Sequence, residues 1–277
     1  MLKETIDFSV LMSVYYKENP IFLKKSLESL MSQTLLADEV ILVKDGKLTE
    51  DLDIIIDDFK LRYPNVFNIV SLPENRGLSN ALNEGIKIAK NSIIARMDSD
   101  DVCFANRFEV QVNYMIANDL DIVGGQIIEF SKDIDEIISI RKVPLYHEEI
   151  VKFMKFRSPL SHPTIVCKKK CFEMLNGYDI TIFPEDYDFF VRAYLAGFKL
   201  GNVVENVLYF RLGENLSDAI KRRWGFKYAI NEVKLYRKFL KLGFFNYLDF
   251  FKVLIFKIPL RILPFKIYKF IYFKFFR

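Results

Sequence analysis

The sequence predicts an α/β fold: a mainly parallel sheet with helices on both faces. Two observations predict it. In the first hundred residues, four short apolar runs alternate with segments whose apolar residues recur at helical spacing. Each connection between consecutive runs is long enough for a crossover helix, which parallel strands require. Ligands of such sheets bind beyond the carboxyl ends of the strands, so polar residues there are the first candidates for a site.

Four strands and three helices are predicted for the first hundred residues. The first helix begins at Asn19, a residue typical of N-caps, and Pro20 favours its first turn. Thr49 is expected to cap the second helix, and an apolar stripe through Leu78 and Leu82 marks the third. The strands are expected at residues 8–15, 39–43, 66–71 and 92–97.

The second half of the chain is less regular. We expect one α/β domain over residues 1–215 and a helical region over residues 216–277. Ser217 is expected to cap a single helix that runs to about residue 242. Between the two halves, helices are expected at 104–117, 147–156 and 185–196, and strands at 122–130, 137–143, 164–168 and 203–211.

Composition and charge exclude several classes of protein. Residues 241–277 carry eight basic residues and one acid, a net charge of +7. Since the whole chain has a net charge of +4, the other 240 residues have a net charge of −3, which argues against a general nucleic-acid surface. Three cysteines, an odd and sparse set, argue against a disulfide framework, and a structural zinc site is disfavoured. No stretch reaches the roughly 18 charge-free apolar residues of a membrane span. The start of the sequence, at residues 1–5, has no apolar run of signal-peptide length, so we expect the protein not to be exported.

The acidic cluster 98–101 is the strongest local feature. Asp98, Asp100 and Asp101 directly follow a predicted buried strand. Neighbouring carboxylates repel each other and need a compensating cation, and hard oxygen ligands suit Mg²⁺ or Mn²⁺. A solvated turn or helix N-terminus is the structural alternative. The position after a buried strand favours the metal site.

Three further groups are candidates with a structural alternative each. Asp45 follows the second strand and can accept from a base or ribose, but an Asp-Gly turn explains the same pattern. Arg76 can pair with phosphate or with the acidic cluster, or belong to a loop at a helix start. Glu185 and Asp186 can supply a general base, although acids at a helix N-terminus also stabilise the helix dipole.

Six motifs occur in a fixed order along the chain. They are VLMSVY at 10–15, LMSQT at 30–34, VILVKDG at 40–46, NRGLSNALN at 75–83, IARMDSDD at 94–101 and EDY at 185–187. In order and spacing this series resembles the inverting glycosyltransferase family 2, with its GT-A fold, over roughly residues 6–212. Further segments at 107–111, 121–124, 141–144 and 161–164 resemble the branch that makes amylovoran, capsule and lipopolysaccharide.

The resemblance implies a donor site for a nucleotide-diphosphate sugar, with UDP favoured. Ser13 and Tyr15 would line the nucleotide site, Asp45 would contact uracil, and Arg76 would lie near the diphosphate. Tyr16 stands where the family usually has Asn or a similar polar residue, so the contact to the donor base is open.

The resemblance also implies a Mn²⁺ or Mg²⁺ cofactor and a catalytic base. Asp100 would ligate the metal, and Asp98 would face the ribose or a metal-bound water. Asp186 would be the base, with Glu185 helping to position the acceptor. Donor and acceptor would then react in one displacement that inverts the anomeric carbon. A sugar nucleotidyltransferase and a non-catalytic subunit of a polysaccharide assembly complex are the alternatives.

The acceptor implied by this branch is a glycan of the lipid-linked, lipopolysaccharide or capsule type. Processive members of the family carry a Gln-x-x-Arg-Trp motif, and here Ile220 stands in the glutamine position. That difference favours addition of a single sugar over polymer synthesis.

The tail, residues 241–277, combines eight basic and 13 aromatic residues. Such segments suit the boundary of an anionic membrane, so we expect peripheral attachment at the cytoplasmic face of the bacterial inner membrane. Pro259 and Pro264 are expected to break the tail into short pieces. A C-terminal helix docked on the catalytic domain is the alternative.

Overall fold

The computed structural model describes residues 6–213 and 216–275 of the 277-residue chain. Within this part, one sheet of nine strands has the order β3-β2-β1-β4-β8-β6-β9-β5, and β7 pairs with β6. Helices cover both of its faces. The α/β fold expected from the sequence is confirmed.

The first half follows the predicted alternation. Strands β1 to β4 are parallel neighbours in the order β3-β2-β1-β4. Three crossover helices join them, and the first is capped by the Asn19 side chain, which accepts from the N–H of Ile21. The elements are β1 Ser9–Val14, α1 Pro20–Met31, β2 Glu39–Lys44, α2 Glu50–Arg62, β3 Phe67–Ser71, α3 Leu78–Ile88 and β4 Ile93–Asp98.

The second half makes the sheet mixed rather than mainly parallel. Strand β8 is antiparallel to both β4 and β6, whereas β6 and β9 are parallel. A short connection turns β6 back into β7 as an antiparallel pair, which needs no crossover helix. The elements are β5 Val102–Cys103, α4 Arg107–Ala117, β6 Ile122–Phe130, β7 Ile137–Arg141, α5 His147–Met154, a 3₁₀ turn His162–Thr164, β8 Val166–Lys168, α6 Lys169–Leu175, α7 Glu185–Leu195 and β9 Leu200–Arg211.

Alternate residues of the strands face two core layers. Leu11 and Ile41 belong to the layer shared with α3 and α7, while Val10 and Leu42 belong to the layer shared with α1, α2 and α4. Helix α3 approaches the sheet closely at Gly85, where a Cβ would lie 2.2 Å from a Leu11 methyl carbon. This approach holds the amino end of α3, and the loop before it, against the carboxyl edge of the sheet.

Four helices follow the sheet: α8 Leu216–Lys221, α9 Phe226–Lys241, α10 Tyr247–Ile262 and α11 Phe265–Phe275. The single helix expected from Ser217 to 242 is interrupted at Gly225, whose φ of 99° is not helical. The break expected at Pro259 does not occur, since this proline lies inside α10 near the end of the helix, where it costs one backbone hydrogen bond and crowds the preceding turn. Pro264 does separate two helices.

The C-terminal helices pack on the sheet domain. Leu235 and Phe239 of α9 belong to the same core layer as Phe189 of α7. Phe245 and Val253 of the tail belong to this layer too, so the tail docks on the sheet domain, and membrane contact by its exposed face stays a prediction. The predicted boundary at residue 215 lies outside the described residues, as do residues 1–5, 276 and 277. No described helix combines the length and the apolar character needed to cross a bilayer.

Candidate active site

Three carboxylates meet at the carboxyl end of β4. One oxygen each of Asp98, Asp100 and Asp101 lies within 4.8 Å of the others. Asp98 is the last residue of β4 and pairs in register with Ser13 of β1. The Ser26 hydroxyl of α1 donates to the Asp98 carbonyl at 3.0 Å, which fixes the end of the strand.

The acidic cluster has too little positive charge around it. Burial, and then the charges of Asp98 and Glu18, raise the pKa of Asp100 to about 7. Burial, and then Asp100 and Asp98, raise the pKa of Asp101 well above its usual value. Asp101 Oδ2 is buried without a hydrogen-bond partner among the described residues. A divalent cation with oxygen ligands would satisfy both deficits, so the donor set fits Mg²⁺ or Mn²⁺.

Two arginines hold the cluster in place. Buried Arg96, on β4 itself, forms an ion pair with Asp98. Arg211, at the end of β9, donates its backbone N–H to Asp101 Oδ1 at 2.8 Å and its Nε–H to the Asp100 carbonyl at 2.9 Å. Sequence reasoning missed both supporting roles. Arg96 lies inside the motif at 94–101, which was the available signal.

Glu18 adds a fourth carboxylate that sequence reasoning also missed. Its side chain accepts a short hydrogen bond from the Ser99 hydroxyl. Burial raises the pKa of Glu18, and the charge of Asp98 raises it further. The negative charge of the site therefore extends from β4 to the loop after β1.

Asp45 organises the loop that begins α3. Its two carboxylate oxygens accept the backbone N–H groups of Arg76, at 2.8 Å, and Gly77, at 3.0 Å. Gly77 has a φ of 87°, in the region that favours glycine. The Arg76 side chain is 58% exposed and pairs with Glu74 at 3.0 Å. Arg96 and Arg211, not Arg76, contact the acidic cluster.

Ser13 and Tyr15 lie at the carboxyl end of β1. Ser13 is half-buried beside Asp98, and Tyr15 is 43% exposed just beyond the strand. Tyr16 packs edge-on against Tyr15 with ring centroids 5.9 Å apart. Two exposed rings at this edge offer a surface on which a nucleotide base can stack.

The predicted acids of α7 occupy its first turn. The Ser158 hydroxyl donates to Asp186 Oδ2 at 3.0 Å. Burial, and then the charge of Asp186, raise the pKa of Glu185 to about 7. Glu185 Oε1 lies 3.8 Å from His162 Nδ1. Burial, and then Arg96, lower the pKa of His162 well below its usual value, so this imidazole is neutral at pH 7.

One cavity of about 680 Å³ brings the acidic cluster and α7 together. Its lining includes Asp98 at the end of β4 and both Glu185 and Asp186. Asp98 is the member of the acidic cluster that the lining contains, and it lies far from Asp186 in the chain. The expectation that Asp100 and Asp186 face each other across a bound sugar stays a prediction. A ligand bound there can contact Asp98 and the two carboxylates of α7 at once.

The acidic cluster and the strands around it lie in a part of the chain that matches a known protein family. A model of glycosyl transferase family 2 matches residues 9–173, which is more than half of the chain. The chain belongs to glycosyl transferase family 2. The resemblance inferred from the six motifs is thereby confirmed. Glu185 and Asp186 lie beyond the matched range. They are assigned to the same site as the matched residue Asp98 because all three line one cavity.

This glycosyltransferase has relatives along nearly its whole length. It is 35% identical over 265 residues to the UDP-Gal:α-D-GlcNAc-diphosphoundecaprenol β-1,3-galactosyltransferase of Escherichia coli, with 95% of this chain and 94% of that protein covered. It is 35% identical over 269 residues to the amylovoran biosynthesis glycosyltransferase AmsE of Erwinia amylovora, covering 96% and 97%. These relatives agree with the branch inferred from the shorter segments.

A solved structure confirms the fold. The mannosyltransferase of Pyrobaculum calidifontis in complex with GDP-Man and Mn²⁺ superimposes with a TM-score of 0.68 at 14% identity. The match covers 98% of this chain and 76% of that chain. At this identity the likeness concerns the GT-A-like architecture alone.

The C-terminal helices of the glycosyltransferase form a second wall of the cavity. Tyr228 and Glu232 of α9 line it, as do Phe256, Lys257 and Arg261 of α10. The sequence analysis predicted membrane contact for residues 241–277, with docking on the catalytic domain as the alternative, and it assigned no site role to these five side chains. The four-residue spacing of Tyr228 and Glu232, and of Lys257 and Arg261, puts each pair on one helix face and was the available signal.

Proposed function

We propose that this glycosyltransferase is metal-dependent and inverting, and that it moves one sugar from a UDP-sugar to a hydroxyl of a lipid-linked glycan. The observation that carries the proposal is the single cavity lined by Asp98, Glu185 and Asp186. The family and its glycosyltransferase chemistry are established above. The family also leaves the nucleotidyltransferase alternative without support.

The donor would lie along the carboxyl edge of β1 to β4. Tyr15 and Ser13 would line the nucleotide. Asp45, just after β2, would contact the base beside the loop whose N–H groups it accepts. The Arg76 side chain is exposed and can exchange Glu74 for a diphosphate oxygen. UDP is supported by the name of the Escherichia coli relative, which uses UDP-Gal.

Asp98 and Asp100 would hold Mn²⁺ or Mg²⁺, with Asp101 within reach of the same ion. Held by these carboxylates, such an ion would supply positive charge to offset the charge that develops on the departing diphosphate. The protein's own part is to keep these carboxylates converged, through Arg96 and Arg211, before any donor arrives.

Asp186 would act as the general base. As the acceptor oxygen bonds to the anomeric carbon, the bond to the donor phosphate oxygen breaks, and the acceptor proton passes to Asp186. Attack from the face opposite the leaving group inverts the configuration. Ser158 holds one oxygen of Asp186, leaving the other for the acceptor. Glu185, with a pKa of about 7, can donate a hydrogen bond to the acceptor at neutral pH.

The acceptor would be a glycan carried on a lipid diphosphate or in a lipopolysaccharide or capsule precursor. The Escherichia coli relative is named for a diphosphoundecaprenol-linked acceptor. Helix α10 supports a membrane location, because it exposes Leu248, Ile255 and Phe256 by 64–71% beside the exposed base Lys252. The protein would sit peripherally on an anionic leaflet, at the cytoplasmic face of the bacterial inner membrane.

Sugar transfer from UDP-galactose, UDP-glucose and their N-acetylated forms, with Mn²⁺ and decyl-diphosphate sugars as acceptors, tests the proposal. We expect Asp186→Asn to lower kcat by about 10²- to 10⁴-fold. Asp58→Asn, on an exposed face of α2, is the matched control and should leave kcat unchanged. A product that retains the donor's anomeric configuration by NMR would refute the inverting mechanism. Full activity of Asp186→Asn would refute the assigned base.

A further inference from the structure

The cavity wall formed by α9 and α10 carries one positive charge more than its own acid neutralises. Arg261 binds both oxygens of Glu232, with Nε–Oε2 at 2.8 Å and Nη2–Oε1 at 3.0 Å. That bidentate pair is complete in itself. Lys257, one turn earlier on α10, lies 4.0 Å from Glu232 Oε1 and is the surplus cation.

Lys257 is held inside this wall rather than extended into solvent. Its side chain is only 17% exposed, and its ammonium donates to the Tyr236 hydroxyl at 3.0 Å. Burial lowers the pKa of Lys257 to about 8, with Glu232 raising it and Arg261 lowering it further. An apolar side chain of similar length would fill this space without the desolvation cost, so the retained charge indicates an anionic ligand.

The neighbours of Lys257 indicate what kind of anion fits. Phe256 and Leu260 line the same cavity beside it, and exposed Ile255 continues the apolar surface outside. A ligand that joins phosphate to hydrocarbon matches this sequence of basic and apolar contacts. Arg157, Arg222 and Arg223 also line the cavity and add to its positive potential.

We propose that Lys257 binds a phosphate of the acceptor's lipid diphosphate, with Arg261 holding Glu232 so that the lysine's charge remains available. This inference rests on the proposed function and adds a binding site on the C-terminal helices for that acceptor. On the proposed function, the donor diphosphate would lie by Asp98 at the end of β4 and not on this wall. The wall therefore selects phosphorylated, lipid-carried acceptors over free glycans.

The test compares two acceptors that differ only in the phosphates: N-acetylglucosaminyl diphosphate with a decyl chain, and the neutral decyl N-acetylglucosaminide. The change is Lys257→Met, and Lys234→Met on the exposed side of α9 is the matched control. We expect Lys257→Met to lower the ratio of kcat/KM for the diphosphate acceptor over the neutral one by about 10- to 100-fold. Lys234→Met should leave the ratio within twofold of the wild type.

Calorimetric titration of the two acceptors keeps the inference testable without catalysis. If no UDP-sugar supports transfer, the proposed function fails, yet Lys257→Met should still weaken binding of the diphosphate acceptor alone. Equal effects on both acceptors, or a raised KM for the UDP-sugar in place of the acceptor, would overturn the inference. The Glu232–Arg261 pair stays neutral in the variant, so we expect it to fold, and Lys257→Gln provides a second variant of closer polarity.

Discussion

Replacing Glu232 with glutamine should destabilise the protein more than any other single change in the C-terminal wall. The carboxylate is 5% exposed and is the acid common to Arg261 and Lys257. Burial raises the pKa of Glu232, but Arg261, the charge of Lys257 and the Tyr236 hydroxyl together lower it below its usual value, so the carboxylate is ionised at pH 7. Glu232→Gln leaves two buried cations facing a neutral amide.

The expected loss follows from the geometry of the pair. Removing one partner of a buried, hydrogen-bonded ion pair costs about 3–5 kcal/mol, because the remaining charge stays desolvated. Here two cations remain, 15% and 17% exposed, which places the loss in that range rather than near the value for a surface pair. We therefore expect the free energy of unfolding of Glu232→Gln to fall by about 3–5 kcal/mol.

Urea unfolding of a double-mutant cycle measures this coupling. Lys257→Met alone leaves a neutral pair and should cost about 1 kcal/mol or less, and added to Glu232→Gln it should restore about 1–2 kcal/mol. The exposed change Lys234→Met serves as control. A free energy of unfolding for Glu232→Gln within about 0.5 kcal/mol of the wild type, which is roughly the error of additivity, would refute the claim that this acid neutralises a buried cluster.

Three further predictions concern the site and the membrane face. The pKa of Glu185 is raised to about 7 from 4.5, so the stability it contributes is complete below pH 4.5 and is lost as pH rises through 7. Glu185→Gln should flatten that part of the stability–pH curve in urea unfolding at successive pH values. Mn²⁺ at 100 times its Kd should add about 2.7 kcal/mol to the wild type in thermal unfolding and almost nothing to Asp100→Asn, with EDTA reversing the shift. Ile255→Ser on α10 should weaken sedimentation with anionic vesicles roughly tenfold, whereas Ile54→Ser on α2, of similar exposure, should not; equal binding by both variants would contradict a membrane role for α10.

The sequence predicted the first half of the fold well because its signals are local. Strands β1, β2 and β4 are mostly buried runs of six residues, β3 is a half-buried edge strand of five, and each crossover helix shows its own apolar stripe. Strand β8 has only three residues, Val166–Lys168, and its direction depends on pairing with β4 and β6 from distant parts of the chain. No local pattern carries that information, so the mixed character of the sheet was not predicted.

The break at Gly225 shows a different limit. Residues 217–242 have continuous helical spacing, and glycine lowers helix propensity by only about 1 kcal/mol. The Gly225 N–H instead donates to the Arg261 carbonyl at 2.9 Å, and the Trp224 indole donates to the Leu263 carbonyl at 2.7 Å. Contacts with α10 and the segment after it therefore accompany the break, and these contacts are invisible in a local window.

The same difference between local patterns and long-range contacts decides which residues of the candidate site could be predicted. Asp98 and Asp100 were predictable because they follow a buried strand directly, and Asp186 because it opens a helix within a known motif. Lys257 was not, because a lysine among aromatic residues in a basic tail is typical of a membrane-facing helix. Only the packing of α10 against α9 distinguishes it from exposed Lys252 on the same helix.

Charge is distributed unequally along the cavity, and this gives the two substrates separate places. Near β4, Asp98, Asp100 and Asp101 exceed their local cations, so under the proposed function they would attract a divalent ion together with a donor diphosphate. On the α9–α10 wall, Lys257 exceeds its local acid, so that end attracts an anion without a metal. An acceptor diphosphate bound near β4 would face uncompensated carboxylates, and a donor diphosphate bound at the α9–α10 wall would find too few hydrogen-bond donors. If the proposal holds, the opposite charge imbalances would orient donor and acceptor before either reaches Asp186, and neutralising one of the two groups should relax selectivity for one substrate only.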